Sequence, residues 1–248
     1  MKFNSRTDKG NVRATNQDAF FAGELSDGSV LAVVCDGMGG ASGGDIASQM
    51  AVEHITDSII SVYRPDMSDI AVKSILISSL EEANKIIYEK SLSSPDYFGM
   101  GTTAVCAIVK TNKIYIVHAG DSRAYCIDDV GIVQLTKDHS VVQRMVEEGT
   151  ITREKAVTHP DRNLITRAIG VDRSVNVDFC QETVFQNDLI LLCTDGLSGC
   201  VSNEEILSLC RENGVDTIAD KLVDEAKANG GRDNITAVVI ECGEVVYG

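Results

Sequence analysis

Four aspartates stand where an apolar run gives way to glycine or a polar turn: Asp36 in VVCDGMGG, Asp121 in HAGDSRAY, Asp195 in LLCTDGLS and Asp233 in GRDNIT. A carboxylate at the end of a strand is held by rigid backbone, so its oxygens can be aimed. Several such groups in one place repel each other, and a hard divalent cation removes that cost. Magnesium and manganese take oxygen ligands of this kind, including backbone carbonyls and retained waters. A glycine beside the aspartate, as at Gly37, lets backbone oxygen approach an ion closely. Asp-Gly is also a common turn dipeptide, because aspartate caps its own backbone. For Asp36 alone the turn reading is the stronger; for four such sites after buried strands the cation reading is. Convergence of the four in space is not written in the sequence.

Other chemistries find less support. His54, His118, His139 and His159 are scattered, which argues against a zinc site of histidines and cysteines. The stretch GMGGASGG is glycine-rich but matches neither the phosphate-loop nor the dinucleotide pattern, and there is no G-x-S-x-G elbow. Cys35 and Cys193 precede key aspartates, but a neighbouring carboxylate disfavours a thiolate, so both read as structural.

The elements that must position these residues follow from hydrophobic periodicity. Val30–Cys35 reads as a buried strand. Apolar residues at helical spacing then predict one helix over about Asp45–Ile60 and a second carrying Val72, Ile75, Leu76, Leu80, Ala83 and Ile87. Short β-branched runs follow in TTAVCAIVK, KIYIVHAG and RAYCID, spaced as antiparallel meanders. Val141–Glu148 reads as a helix stopped by Gly149. LILLCT is a further buried strand, Asn203–Arg211 and Val215–Lys227 are helical, and ITAVVIEC is a last strand. The expected architecture is α+β: a four-layer α-β-β-α sandwich of two mostly antiparallel sheets flanked by helix pairs. With no linker or repeat in view, residues 1–248 read as a single domain, with a less regular stretch at about 136–170 as a flap.

The formal charge of −15 disfavours nucleic acid or an anionic membrane as the main partner, and is equally compatible with simple solubility. Eight cysteines sit largely in apolar runs with no C-x-x-C pair, the pattern of reduced thiols in a reducing compartment. MKFNSRTDKG has no apolar core of a signal peptide, and no run reaches membrane-spanning length. A cytoplasmic location is expected.

The series NVRATNQDAF, VVCDGMGGASGGDIAS, GTTAV, VHAGDSRAY, LTKDHS, HPDRNLITRAIG, LLCTDGLSG and GRDNITAVV resembles the motif series of the PPM/PP2C family of metal-dependent protein serine/threonine phosphatases, in its minimal bacterial form. The motifs occur in the family's order across nearly the whole chain; each is weak alone and the ordered set is specific. The resemblance implies a central β-sandwich flanked by helices, with the metal site at one edge. It implies two core Mn2+ or Mg2+ ions and a third, weaker one. Asp36 would bridge two ions and position the attacking water. The Gly37 carbonyl would ligate one of them, and Asp195 and Asp233 the first. Asp121 would help hold the third, Asp18 would stand in or next to the shell, and Arg13 would grip the phosphate. Asn234 would be a polar residue near the site.

The implied activity is hydrolysis of phosphoserine and phosphothreonine in proteins by a metal-activated water, without a phosphoenzyme. Its partners would be phosphorylated proteins and a cognate serine/threonine kinase, and the enzyme a monomer. Alternatives are an inactive phosphoprotein-binding module and a phosphatase of small phosphoesters. Two departures stand out: Met38 occupies a place where many animal members have a proton-donating histidine, and Gln17 stands where the family often has glutamate. The proton donor is therefore open between a water held by the ions and, as a weaker choice, His159. The basic residues Arg144, Arg153, Lys155, Arg162 and Arg167 suggest a flap that selects phosphopeptides or gates access, or else a solvated loop.

Overall fold

The computed structural model describes residues 1–243, apart from the side chains of residues 40–42, so the last five residues of the expected domain 1–248 lie outside the described residues. Two strands that periodicity does not reveal come first, β1 (Lys2–Asp8) and β2 (Asp18–Glu24), followed by β3 (Val30–Met38). The predicted helices are α1 (Gly40–Val62) and α2 (Asp69–Ser91), longer than their apolar patterns. Ser68 starts α2, its hydroxyl accepting from the Ala71 N–H. A short 3-10 turn leads to β4 (Gly101–Thr102), β5 (Ala104–Lys110), β6 (Lys113–Ala119), β7 (Arg123–Ile127) and β8 (Ile132–Gln134). Two short helices, α3 (Val141–Glu147) and α4 (Arg153–Val157), occupy the irregular stretch. The chain then forms β9 (Asp178–Thr183), β10 (Leu189–Cys193), the single turn α5 (Asp195–Ser198), α6 (Asn203–Glu212), α7 (Val215–Ala228) and β11 (Ile235–Glu241). A capping box of Ser202 and Glu205 fixes the start of α6.

The strands make two sheets, ordered β1-β11-β10-β7-β8 and β2-β3-β5-β6-β9, with β4 added against β3. Every strand pair is antiparallel. This is the expected four-layer sandwich, and its layers explain the apolar runs. Side chains alternate across a strand. Val30, Ala32 and Val34 of β3 therefore enter the space between the sheets, where they join Ile190, Leu192, Val238 and Ile240. Leu31, Val33 and Cys35 point the other way, onto Ala51, Ile55, Leu76 and Leu80 of α1 and α2. On the far side, Leu191 and Val239 meet Ile218 and Leu222 of α7. Strands buried on both faces show no polar alternation, so β3, β5, β10 and β11 read as continuous runs.

One end of this sandwich gathers the strand ends that matter. There β1 leaves its sheet, and residues 9–17 carry the chain to β2 in the other sheet. At the same end β3 finishes, β6 crosses to β7, β10 finishes, and β11 begins.

Candidate metal centre

Register brings the first two carboxyls together. In the β2–β3 pair Asp18 lies directly opposite Asp36. Like charges placed so are destabilising in a sheet unless something neutralises them. The other carboxyls come from the facing sheet: Asp195 two residues beyond β10, Asp233 two residues before β11, and Asp121 in the crossing from β6 to β7. Arg13, Gln17, Asp36, Gly37, Asp121, Asp195, Asp233 and Asn234 all line one cavity of about 250 Å3. Met38, Gly39 and Thr103 complete its floor, and Asn163 and Ile165 reach it from the irregular stretch.

The electrostatics of this cavity are those of carboxylates short of counter-charge. Burial, then Asp18, Asp195, Asp121 and Asp233, push the Asp36 carboxyl well above the usual range. Asp121 rises to about 7, through burial first and Asp195 second. Asp195 is likewise raised by burial and by Asp233, although its carboxyl lies within hydrogen-bonding reach of Asp36. Asp195 Oδ1 is buried without a hydrogen-bond partner. An orphaned buried oxygen among repelling carboxyls is what a hard cation would complete, and the all-oxygen donor set fits magnesium or manganese.

Asp18 stands beneath the cavity and does not line it. Its Oδ2 accepts from Thr236 Oγ1 at 2.6 Å and Thr194 Oγ1 at 2.9 Å, while Oδ1 is buried and unpartnered. Burial lifts this carboxyl to about 7, with Asp195 and Asp233 adding to the rise and the two threonine hydroxyls opposing it. Arg13 faces the cavity, half-exposed, with Nη2 2.7 Å from Asp233 Oδ2. Asn234 is a clamp. Its Oδ1 accepts from the Gln17 N–H, and its Nδ2 donates to the carbonyls of Lys9 and Thr15, so one side chain pins the 9–17 segment that carries Arg13.

The two glycines that follow aspartate have a steric reason. A Cβ on Gly37 would collide with the Gly44 carbonyl, and one on Gly196 with the Asn234 carbonyl. At Gly196 the backbone is helical, inside α5, so the second Asp-Gly step repeats the close approach of the first but not its extended shape. Sequence reasoning missed Thr103, Asn163 and Ile165 as cavity residues. Thr103 carried one signal, a hydroxyl at the mouth of a buried strand in GTTAV; Asn163 and Ile165 lie within the motif HPDRNLITRAIG of the expected flap, which gave no reason to single out either residue.

His159 does not line the cavity; its Nδ1 accepts from the Asp161 N–H at 3.1 Å. The Cys35 and Cys193 thiols are fully buried, and burial pushes Cys193 up to about 12, which suits the structural reading of both.

A second group, His118, His139 and Asp178, brings possible ligand atoms within 4.8 Å of one another. None of the three lines the cavity. The two imidazoles are stacked at 4.7 Å. His139 Nδ1 accepts from the Gly120 N–H, and its Nε2 faces Asp178 Oδ2 at 3.3 Å. Arg167 Nη1 donates to Asp178 Oδ1 at 2.6 Å and stands 3.1 Å from the same imidazole nitrogen. A guanidinium already sits where an ion would, so proximity here describes a hydrogen-bonded clasp. The aspartate cavity, whose carboxylates lack counter-charge, is the better cation site.

A two-sheet β-sandwich with an aspartate cavity at one end and an arginine at its rim defines a metal-dependent phosphatase of the sandwich type. The sequence profile of the Protein phosphatase 2C family matches residues 11–238, and the chain belongs to that family. It is 36% identical over 240 residues to the serine/threonine phosphatase stp of Listeria monocytogenes, spanning 95% of this chain and 94% of that one. The crystal structure of Stp1 from Staphylococcus aureus superposes with a TM-score of 0.92 at 33% identity, over 98% of this chain and 95% of that one. The catalytic domain of PstP, solved with two manganese ions, superposes with a TM-score of 0.84 at 33% identity, over 98% of each chain.

Proposed function

We infer that the protein hydrolyses phosphoserine and phosphothreonine in proteins, using divalent manganese or magnesium. The observation that carries this is the convergence of Asp36, Asp121, Asp195, Asp233 and Arg13 on one cavity in a chain of this family. Asp36, the Gly37 carbonyl, Asp195 and Asp233 would hold the two core ions, with Asp121 at a third and Asp18 bracing Asp36 from below. When bound, the ions neutralise phosphoryl oxygens and lower the pKa of an attacking water.

The chain's own residues supply the rest. Asp36, near a strand end and with its backbone N–H and carbonyl both hydrogen-bonded to Thr103, gives the site a fixed origin. Arg13 brings a planar fork that matches two phosphoryl oxygens. The thioether of Met38 has no proton to give, so protonation of the leaving serine or threonine oxygen falls to another group. The 136–170 segment would act as a flap. Its base is closed by the Ser140–Ile165 bridge and the bond from the Thr166 N–H to the His139 carbonyl, and Asn163 and Ile165 form a wall of the cavity.

We place the protein in the cytoplasm as a monomer that reverses the action of a serine/threonine kinase on phosphorylated proteins. Eight free cysteines support a reducing compartment, and the net charge of −15 speaks against nucleic acid and anionic membrane as partners. Among the described residues no helix is long and apolar enough to cross a membrane. The deciding experiment is phosphate release from a phosphothreonine peptide by chelator-stripped protein, with and without Mn2+. Release only with the ion is expected; no release by folded protein with Mn2+ present would overturn the reading.

A further inference from the structure

We propose that Thr103 and Ser122 form a positioning couple that sets the spacing of the Asp36 and Asp121 carboxyls, and with it the binding of cations by both. This rests on the reading of the acidic cavity as a metal centre. The pairings Val34 with Val105 and Gly37 with Thr102 put Thr103 directly opposite Asp36. The Thr103 N–H donates to the Asp36 carbonyl at 2.9 Å, as a ladder requires. The return bond is different: the Asp36 N–H donates to Thr103 Oγ1 at 3.0 Å, a side chain taking the place of a carbonyl. Strand pairing is therefore interrupted at the residue whose carboxyl enters the cavity, and a hydroxyl holds the gap.

The same hydroxyl reaches across to the other sheet's approach. Thr103 Oγ1 and Ser122 Oγ lie 2.7 Å apart, and Ser122 follows Asp121 in the chain. Thr103 and Ser122 are 3% and 2% exposed, so the two hydroxyls meet almost wholly out of solvent. One chain of bonds thus runs from the Asp36 backbone, through two buried hydroxyls, to the residue beside Asp121. The carboxyls enter from different parts of the chain, Asp36 near the end of β3 and Asp121 in the crossing from β6 to β7. Their separation is fixed through this couple. Valine has the shape of threonine without the hydroxyl, so Thr103→Val would leave the Asp36 N–H and Ser122 Oγ without that partner and little else changed.

The test is Mn2+ binding by calorimetry to the stripped full-length protein, with thermal melting as the folding check and phosphopeptide kinetics alongside. Thr103→Val should weaken Mn2+ binding about tenfold or more. It should lower kcat at a fixed Mn2+ concentration while leaving the KM for the phosphopeptide within about twofold. Thr103→Ser should restore both, because it keeps the hydroxyl. Ser122→Ala leaves the Asp36 N–H bonded and should weaken the lower-affinity class of Mn2+ sites alone; it decides the matter if Thr103→Val does not fold. A folded Thr103→Val or Ser122→Ala with the wild-type isotherm, or a Thr103→Ser as impaired as the valine, overturns the couple. Asp195→Asn separates the two ideas. If it too binds Mn2+ like wild type, the metal-centre reading fails; if it loses binding while Thr103→Val does not, the couple alone fails.

Discussion

Arg13 presents two demands on one guanidinium. It is 53% exposed at the cavity rim, and it donates to Asp233 at 2.7 Å, the carboxylate that would also hold an ion. The bond to Asp233, with the nearby Asp36 and Asp195 charges, holds Arg13 above its usual pKa, so it is charged at every working pH. A cation at Asp233 and the guanidinium compete for the same oxygens. Arg13→Ala should therefore act in opposite directions on two ligands. The KM for a phosphopeptide should rise about tenfold or more, since a charge-assisted hydrogen bond contributes about 1.5–3 kcal/mol, with kcat changed much less. Mn2+ affinity of the stripped variant should be unchanged or tighter, because the competitor is gone. Steady-state kinetics and a Mn2+ titration check both; a fall in kcat at constant KM would move the phosphate grip elsewhere.

At the scale of elements, the clasp around His139 ties three pieces together. Its backbone N–H donates to the Gly120 carbonyl, its carbonyl accepts from the Thr166 N–H, and its ring reaches Asp178 at the start of β9. Burial and the neighbouring His118 push the His139 imidazole down to about 4, against the pull of Asp178 and with the help of Arg167. The unfolded chain takes up this proton near pH 6.5, the folded one only near 4. Stability contributed by the neutral ring is thus present above about pH 6.5 and is lost as pH falls through about 4, on the order of 3 kcal/mol in all. His139→Gln should flatten the acid limb of the stability curve by about one proton relative to wild type, read by urea denaturation at several pH values. An unchanged slope would show that another group titrates there. These elements also show what the sequence could reveal. Strands β3, β5, β10 and β11, buried on both faces, were legible as apolar runs. The strands β1, β2 and β9 were not, and each is a sheet edge with at most one buried residue. An edge strand faces water with a mixed, polar spelling, which erases periodicity. Asp36, Asp121, Asp195 and Asp233 were legible because strand ends and Asp-Gly steps are local. Thr103, the clamp at Asn234 and the threonines under Asp18 act across residues distant in sequence, and such partners are set only by the register of the folded sheets.

For the whole molecule, the net charge of −15 and the buried aspartates make the cation part of the fold's stability as well as of its chemistry. In stripped protein, Asp18 and Asp121 hold their protons up to about 7, far above an unfolded carboxyl. The stability tied to those protons is fully present below the unfolded pKa and is lost as pH rises through about 7, when the cavity must carry uncompensated charge. A divalent ion restores it by taking the protons' place, so ions and protons compete for the same oxygens. Saturation at one hundred times Kd contributes about 2.7 kcal/mol per site, and about 2–4 °C accompany each kcal/mol in a chain of this size. Mn2+ should accordingly raise the Tm of stripped protein at pH 8 by about 5–10 °C for each saturated site, and by clearly less at pH 5.5, where protons already occupy the cavity. Asp195→Asn, which keeps the shape and removes a charge, should raise the Tm of the stripped protein at pH 8 while losing most of the Mn2+-dependent rise. Differential scanning calorimetry of the two proteins at the two pH values measures all of this at once. An equal Mn2+ shift at both pH values, or a full shift in Asp195→Asn, would mean that the ion stabilises the sandwich from somewhere other than the aspartate cavity.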